Sequence, residues 1–370
     1  MQHPDSCSHD RGCHDRASGV VKQVHQNLRR KFKEAKGDFA KVWHEHCEDE
    51  DTLEEYACAM QHLAIQHWTG QPEDRIEWCR NCCSEFFFCG GLKKALDKDE
   101  RTRLFNMKKS GDDTVEAMLP KGKYHEHESP KDLFLAGNEI TLPFSGKIRL
   151  LDVGSCYNPF VQFDEFLAVG IDISPAVDTV HKCDFLNLQL NPPLQLASDS
   201  VNTFLRNLND PIDTLPKECF HVVVFSLLLS YFPSPYQRWI CCQKANQLLQ
   251  KNGLLLIITP DSSHQNKHTS MMKSWRRAIE SMGFKRWKYV KYMHMHFLAF
   301  RKVSSAESSL IMGDANPEML YIPQDFHDTA EECIFTDAFS RQSDSDDQSI
   351  KDAFSELPNS TDEEETLSWN

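Results

Sequence analysis

The chain has 370 residues, 40% of them apolar and 26% charged, with a formal net charge of −14. At roughly 150 residues per domain that length suits about two domains. No apolar stretch of ~18 or more residues and no basic-then-apolar leader at Met1 is present, which argues against a membrane span and a secretory signal. With no secretory route, the 14 cysteines predict reduced thiols in the cytosol or nucleus, not a disulfide framework. The acidity is local. From Val303 to Asn370 there are 17 Asp and Glu against Arg341 and Lys351, which leaves the first 302 residues near +1.

Residues 1–18 are rich in His, Cys and Asp without apolar periodicity, and they are expected to be disordered. His3, Cys7, His9, Cys13 and His14 match the spacing of no structural zinc site. From 19 to 119 the apolar residues recur at helical spacing and predict a helical domain. The first set is Val21, Val24, Leu28, Phe32, Phe39, Val42 and Trp43. The second is Leu53, Tyr56, Ala57, Met60, Leu63, Ala64 and His67, and the third is Ile76, Cys79, Cys83, Phe86 and Phe87. The cluster Cys79, Cys82, Cys83 and Cys89 lacks a second ligand pair for zinc, so it reads as small core residues on one helix face. Three prolines and three glycines between 120 and 146 predict a linker.

The stretch 147–302 reads as an α/β unit. Ile148–Val153 and Phe166–Ile171 are near-continuous apolar runs, the pattern of parallel strands buried on both faces. Further strands are expected around His221–Ser226 and over Gly253–Thr259, with helices at Pro235–Gln250 and Lys267–Met282. The runs Phe284–Tyr292 and Met295–Arg301 predict a closing antiparallel hairpin. The expected fold class is therefore α/β: a seven-stranded, Rossmann-like sheet of the class I methyltransferase type. An N-terminal helical domain precedes it, and 303–370 is expected to be a disordered acidic tail.

Four stations on this unit point to a nucleoside. Gly154 ends the first strand, where a side chain would block close approach of a ligand. Asp172 tips the second, where a carboxylate can accept both ribose hydroxyls. Asp184 and Phe185 follow a third short strand, an acid for an adenine amino group beside a ring for its face. Ser226 and Leu227 reach the same carboxyl edge. A dinucleotide site wants Gly-x-Gly-x-x-Gly, whereas this loop, Gly154-Ser155-Cys156-Tyr157-Asn158-Pro159-Phe160, holds one glycine. The set fits S-adenosylmethionine better than any dinucleotide. Lys273 to Lys302 carries nine Lys and Arg against Glu280. With Trp275, Trp287, Tyr289 and Tyr292 interleaved, it reads either as an RNA contact or as a helix face and a lysine-protected sheet edge; nucleic-acid contact is the less favoured.

The segments LLDVGSCYNPF, GIDISPAVDTVHKCDFLNLQL, VVVFSLLLSYFPSPYQRW and LLLIITPDSSHQNKH resemble the SAMTOR family, the S-adenosylmethionine sensors upstream of the TOR kinase complex. More distantly they are similar to a fungal adenine methyltransferase acting on large-subunit ribosomal RNA. The resemblance runs from the helical region to Lys302. It implies that Gly154, Asp172, Asp184, Phe185 and Ser226 form an adenosine pocket, with the helical domain closing over the methionine end. There Arg75 is a candidate partner for the methionine carboxylate, a bidentate fork, or else a surface arginine on a helix. It also implies partners, the GATOR and KICSTOR assemblies, bound when ligand is low, in the cytoplasm and at the lysosomal surface through those partners. The competing reading is an S-adenosylmethionine-dependent methyltransferase acting on RNA adenine. Such enzymes usually carry a polar-Pro-Pro-aromatic corner after the fourth strand; this chain has Ser230-Tyr231-Phe232-Pro233, and no general base stands out.

Overall fold

The computed structural model describes residues 6–68, 75–109, 140, 142–260, 268–292, 294–303 and 315–326. Its centre is a seven-stranded sheet of order β3-β2-β1-β6-β7-β9-β8. The strands are β1 (Ile148–Val153), β2 (Phe166–Asp172), β3 (Val180–Lys182), β6 (Phe220–Ser226), β7 (Leu249–Pro260), β8 (Phe284–Tyr292) and β9 (Met295–Lys302). β1 pairs in parallel with both β2 and β6, and β9 runs antiparallel between β7 and β8. The expected class, and the hairpin that closes it, are present. All six residues of β1 are buried, because a strand in the middle of such a sheet has no wet face.

Sequence expectation was silent about residues 186–219, which hold β4 (Gln189–Asn191), β5 (Thr214–Pro216) and a short helix, α6 (Ser198–Arg206). β4 and β5 pair only with each other, and strands of three residues leave little periodicity to read. α7 (Pro235–Leu248) starts where Pro235 predicts: Ser234 caps it, with Gln237 completing a capping box. α8 (Thr269–Ser281) follows β7.

The N-terminal helices are α1 (Ser6–Glu34), α2 (Phe39–Cys47), α3 (Glu50–Leu63), α4 (Arg75–Phe87) and α5 (Gly91–Lys109). α1 differs from the expectation of disorder over residues 6–18, its backbone being helical from Ser6; residues 1–5 lie outside the described residues. Extending a helix adds one hydrogen bond per residue fixed, whereas nucleation is the costly step, so a polar stretch can ride on an amphipathic helix that is already formed.

These helices do not build a core of their own. Val21 of α1, Leu63 of α3 and Cys79, Cys83 and Phe86 of α4 share an apolar cluster with Ile148, Leu150, Val222 and Leu256 of the sheet. Val24, Leu28, Val42 and Trp43 join the cluster on the opposite face, with α7 and α8. The reason lies in the crossovers: among the described residues only a 3-10 turn, Pro159–Gln162, separates β1 from β2, and no helix separates β2 from β3. A face left bare by its own crossovers is covered by helices from the N-terminus. Most of the expected linker, 120–146, lies outside the described residues. Its described end is packed: Ile140 is buried, and the Phe144 ring lies 5.0 Å from those of Phe87 and His221.

The expected disordered tail needs the same correction over 315–326. Two short 3-10 turns, Pro317–Leu320 and Pro323–Asp325, seat this strap on α7 and α8 with Leu320 and Ile322 buried. The Trp275 indole N–H donates to the Tyr321 carbonyl at 2.7 Å, and Ser274 Oγ donates to the Met319 carbonyl at 2.8 Å. Arg238, fully buried, forks onto both carboxylate oxygens of Asp325 at 2.8 and 2.6 Å. The run Met319-Leu320-Tyr321-Ile322 is too short to register against the acidic average of its surroundings, but long enough to fill a groove. Leu320→Ala should lower stability by about 2–5 kcal/mol in urea unfolding, while Phe326→Ala, at a ring 72% exposed, should change it by no more than ~0.5 kcal/mol; equal effects would contradict a strap built into the core.

Candidate ligand site

A cleft with about 770 Å³ of empty space, its open mouth included, lies at the carboxyl ends of β1, β2 and β6. The crevice at the strand ends of an open α/β sheet is where small organic ligands bind. Gly154 turns the chain out of β1 with φ +73, and a Cβ there would stand 2.9 Å from Leu228 Cδ1. The positive φ is what favours glycine, since the Leu228 methyl is the end of a flexible side chain. Three non-glycine residues around the cleft, Cys156, Asn158 and Leu227, also take positive φ (58, 52 and 64), a conformation that costs of order 1–3 kcal/mol and collects at binding sites.

Asp172 faces the turned-out chain. Its carboxylate accepts the Cys156 and Ser174 backbone N–H groups, each at 3.0 Å. The Ile173 backbone N–H adds a third donor, and the two oxygens, with about four lone-pair sites between them, keep capacity to spare. Burial pushes its pKa up to about 6, against the pull of those backbone donors. Beneath it lies Asp152, which sequence reasoning missed. It accepts from Ser155 Oγ at 2.8 Å, and burial pushes its pKa up to about 7, with the neighbouring Asp172 adding to the rise. An acid inside the apolar run Ile148–Val153 was the available signal, since such a group is kept in a core only with a partner.

The other expected residues divide. Phe185 and Ser226 line the cleft, and Phe185 packs edge-on against Phe225 with centroids 5.8 Å apart. Arg75, the first residue of α4, donates from Nη1 to Ser226 Oγ at 3.2 Å; the structure brings it to the rim, not to open surface. Asp184 lies behind the wall. Its oxygens take the Trp43 indole N–H at 3.1 Å, the Asn187 side-chain amide at 2.6 Å and the Leu186 backbone N–H at 3.0 Å. The carboxylate thereby holds Trp43 of the wall in place.

Trp43, Tyr56, Tyr231 and Phe232 form a wall that periodicity alone assigns to ordinary core. Tyr56 and Tyr231 stand 5.1 Å apart, centroid to centroid, and Trp43 stands 5.3 Å from Phe232. Two histidines back them. His25 Nε2 meets Tyr56 Oη at 3.0 Å, and His46 Nε2 meets Tyr231 Oη. Burial pulls His25 down to about 3 and His46 to about 4, so both are neutral near pH 7, and burial drives both phenols up. The wall is uncharged, aromatic and opposed to Asp172, an arrangement suited to a flat base and a cationic centre.

At the corner Ser230–Pro233 the polar groups make hydrogen bonds within the protein. Ser230 Oγ donates to the Leu227 carbonyl at 2.8 Å. The Ser230 carbonyl accepts from Arg29 of α1 at 2.6 Å, and the Phe232 carbonyl accepts from Arg238 at 3.1 Å.

Strand order and cleft together define a class I methyltransferase-type fold. Solved structures similar to it include the N-methyltransferase NodS from Bradyrhizobium japonicum with S-adenosylhomocysteine, at 11% identity and a TM-score of 0.28, over 42% of this chain and 79% of that one. A SAM-dependent methyltransferase from Aquifex aeolicus matches at 14% identity and a TM-score of 0.27, over 42% of this chain and 82% of that one. Residues 194–316 match the family described as Bmt2, 25S rRNA (adenine(2142)-N(1))-methyltransferase. Over 348 residues the chain is 57% identical to a Danio rerio protein named S-adenosylmethionine sensor upstream of mTORC1, covering 93% of this chain and 84% of the relative. Its Xenopus tropicalis counterpart, of the same name, is 55% identical over 346 residues, again covering 93% and 84%. The chain belongs to the family of S-adenosylmethionine sensors upstream of mTORC1.

Both acids have folded pKa values raised above the ordinary 3.8. The folded state therefore holds their protons more tightly than the unfolded chain. Their contribution to stability is present below about pH 4 and is lost as pH rises through about 6 to 7. Asp152→Asn should flatten the fall in urea midpoint between pH 4 and pH 7.5; a profile parallel to wild type would contradict a proton held at this acid.

Proposed function

We propose that this chain binds S-adenosylmethionine in the cleft and works as a sensor. Its ligand-free form engages the GATOR and KICSTOR assemblies and restrains TOR signalling, and ligand releases it. This reading carries with it a cytoplasmic location, at the lysosomal surface through those partners. Among the described residues no helix is long and apolar enough to cross a membrane.

The ribose falls to Asp172, the bare chain at Gly154 admits the nucleoside, and Phe185 flanks the base. Arg75 at the rim supplies a charge for the methionine carboxylate, next to Ser226. The aromatic wall suits a sulfonium. A ligand so held touches α2 and α3 through Trp43 and Tyr56 and the sheet through Asp172, so its binding energy differs between arrangements of these elements. Swinging a population from 1:99 to 99:1 needs ~10⁴-fold preference, about 5.5 kcal/mol, within reach of contacts to base, ribose and carboxylate.

The observation that favours sensing over transfer is the corner at Ser230–Pro233. Methylation of an exocyclic amine usually calls for a polar-Pro-Pro-aromatic corner there to orient the nitrogen, since positioning is most of what the protein supplies to such a step, and this chain has Ser230-Tyr231-Phe232-Pro233 instead. Here the hydroxyl and both carbonyls are already bonded within the protein, and α1 lies over the corner. The second reading, an S-adenosylmethionine-dependent RNA adenine methyltransferase, has in its favour the match of residues 194–316 to the Bmt2 family. Mass spectrometry of RNA incubated with labelled cofactor separates the two; efficient methyl transfer would reverse this ranking.

Asp172→Ala should abolish S-adenosylmethionine binding by calorimetry without unfolding the chain, and retained affinity would remove the ribose role. Because the ribose contact uses the ionised acid and its pKa in the free protein is about 6, affinity should fall as pH drops below 6, by up to ~tenfold per pH unit. Added S-adenosylmethionine should weaken capture of GATOR or KICSTOR components, whereas a complex indifferent to ligand would contradict sensing.

A further inference from the structure

The strap 315–326 and the cleft share one side chain. Arg238 of α7 is fully buried, and its guanidinium faces two ways. Nη1 donates to the Leu320 carbonyl at 2.7 Å and to Asp325 Oδ2 at 2.8 Å, both on the strap. Nη2 donates to Asp325 Oδ1 at 2.6 Å and, on the other side, to the Phe232 carbonyl at 3.1 Å. Phe232 and its neighbour Tyr231 line the cleft, and the Phe232 ring packs on Trp43. A planar fork held on its strap side by a bidentate carboxylate has little freedom left on the other. Without Asp325, a cation buried in an apolar core must seek water or other acceptors, and the Phe232 carbonyl loses its fixed donor.

We propose that the strap is a positioning element for the ligand site, with Asp325 acting through Arg238 on the Tyr231–Phe232 wall. Docking of the strap and binding of the ligand then favour each other. This rests on the assignment of S-adenosylmethionine to the cleft. The coupling is reciprocal by thermodynamic necessity: whatever the docked strap adds to ligand affinity, ligand adds to strap docking. Residues 327–370, which hold 13 Asp and Glu against Arg341 and Lys351, begin where the strap ends, so occupancy of the cleft reaches the point from which that acidic stretch departs. A strap that merely covered apolar surface on α7 and α8 would add to stability and leave affinity untouched.

The test uses the full chain. Calorimetry with S-adenosylmethionine should give affinity in the order wild type, Asp325→Asn, Asp325→Ala, the last weaker by about tenfold, within the usual range of coupling between sites. In parallel, hydrogen exchange at residues 315–326 of the wild-type chain should slow when S-adenosylmethionine is added. This second measurement needs no variant, so it decides the matter even if Asp325→Ala fails to fold. Wild-type affinity in a folded Asp325→Ala, or strap exchange indifferent to ligand, would overturn the coupling. A wild-type chain that takes up no S-adenosylmethionine would instead refute the ligand assignment on which the coupling rests.

Discussion

The parallel pairing of β1 with β2 is the constraint on which the site depends. In that register Val153 lies beside Ile171 and Asp152 beside Gly170. The chain leaving β1 is therefore pinned to the end of β2, with the Gly154 and Ser155 N–H groups both donating to the Ile171 carbonyl at 2.9 and 3.0 Å. The loop then folds over Gly170, where a Cβ would stand 2.8 Å from Ser155 Oγ, and delivers the Cys156 N–H to the Asp172 carboxylate. The Asp172 carboxylate and the open backbone are thus parts of a single hydrogen-bonded unit. A shift of one residue in the pairing would turn Asp172 to the other face of the sheet.

Around that unit the N-terminal helices do two jobs. Their apolar faces complete the core, and their tips close the cleft with Trp43 and Tyr56 while Arg29 fastens the corner after β6. A helical domain hinged on a flexible linker would have offered opening and closing of whole bodies. A shared core makes large separation expensive, because it would expose residues such as Leu28, Cys83 and Phe86, all within 2% of full burial. Ligand response must then work through smaller rearrangements of the elements that meet at the cleft, of the kind packed interfaces turn into discrete states.

How much was legible in the sequence follows from which physics each element obeys. β1, β2 and the hairpin β8–β9 were readable nearly to the residue, because buried strands need unbroken apolar runs and hairpins need two of them close together. α6 and the β4–β5 pair left no such trace. That Gly154, Asp172 and Ser226 meet at one cleft was legible because each sits at a strand end, where chain direction tells which way a residue faces, and Phe185 follows β3 closely. The place of Trp43 and Tyr56 beside it was not, since an aromatic residue at helical spacing looks the same in a core and in a cleft wall. Nor does any sequence pattern reveal that the indole of Trp43 reaches Asp184. The strap escaped notice for the opposite reason, its four apolar residues being averaged away in an acidic tail.

The cleft sets an acid and bare backbone on adjacent strands and faces them with neutral aromatic rings. A crystal structure grown with excess S-adenosylmethionine tests the central claim most directly. The account predicts the ribose hydroxyls on the Asp172 oxygens, the base beside Phe185 and the nucleoside passing over Gly154. A cleft left empty at saturating ligand, or ligand bound elsewhere on the chain, would contradict it.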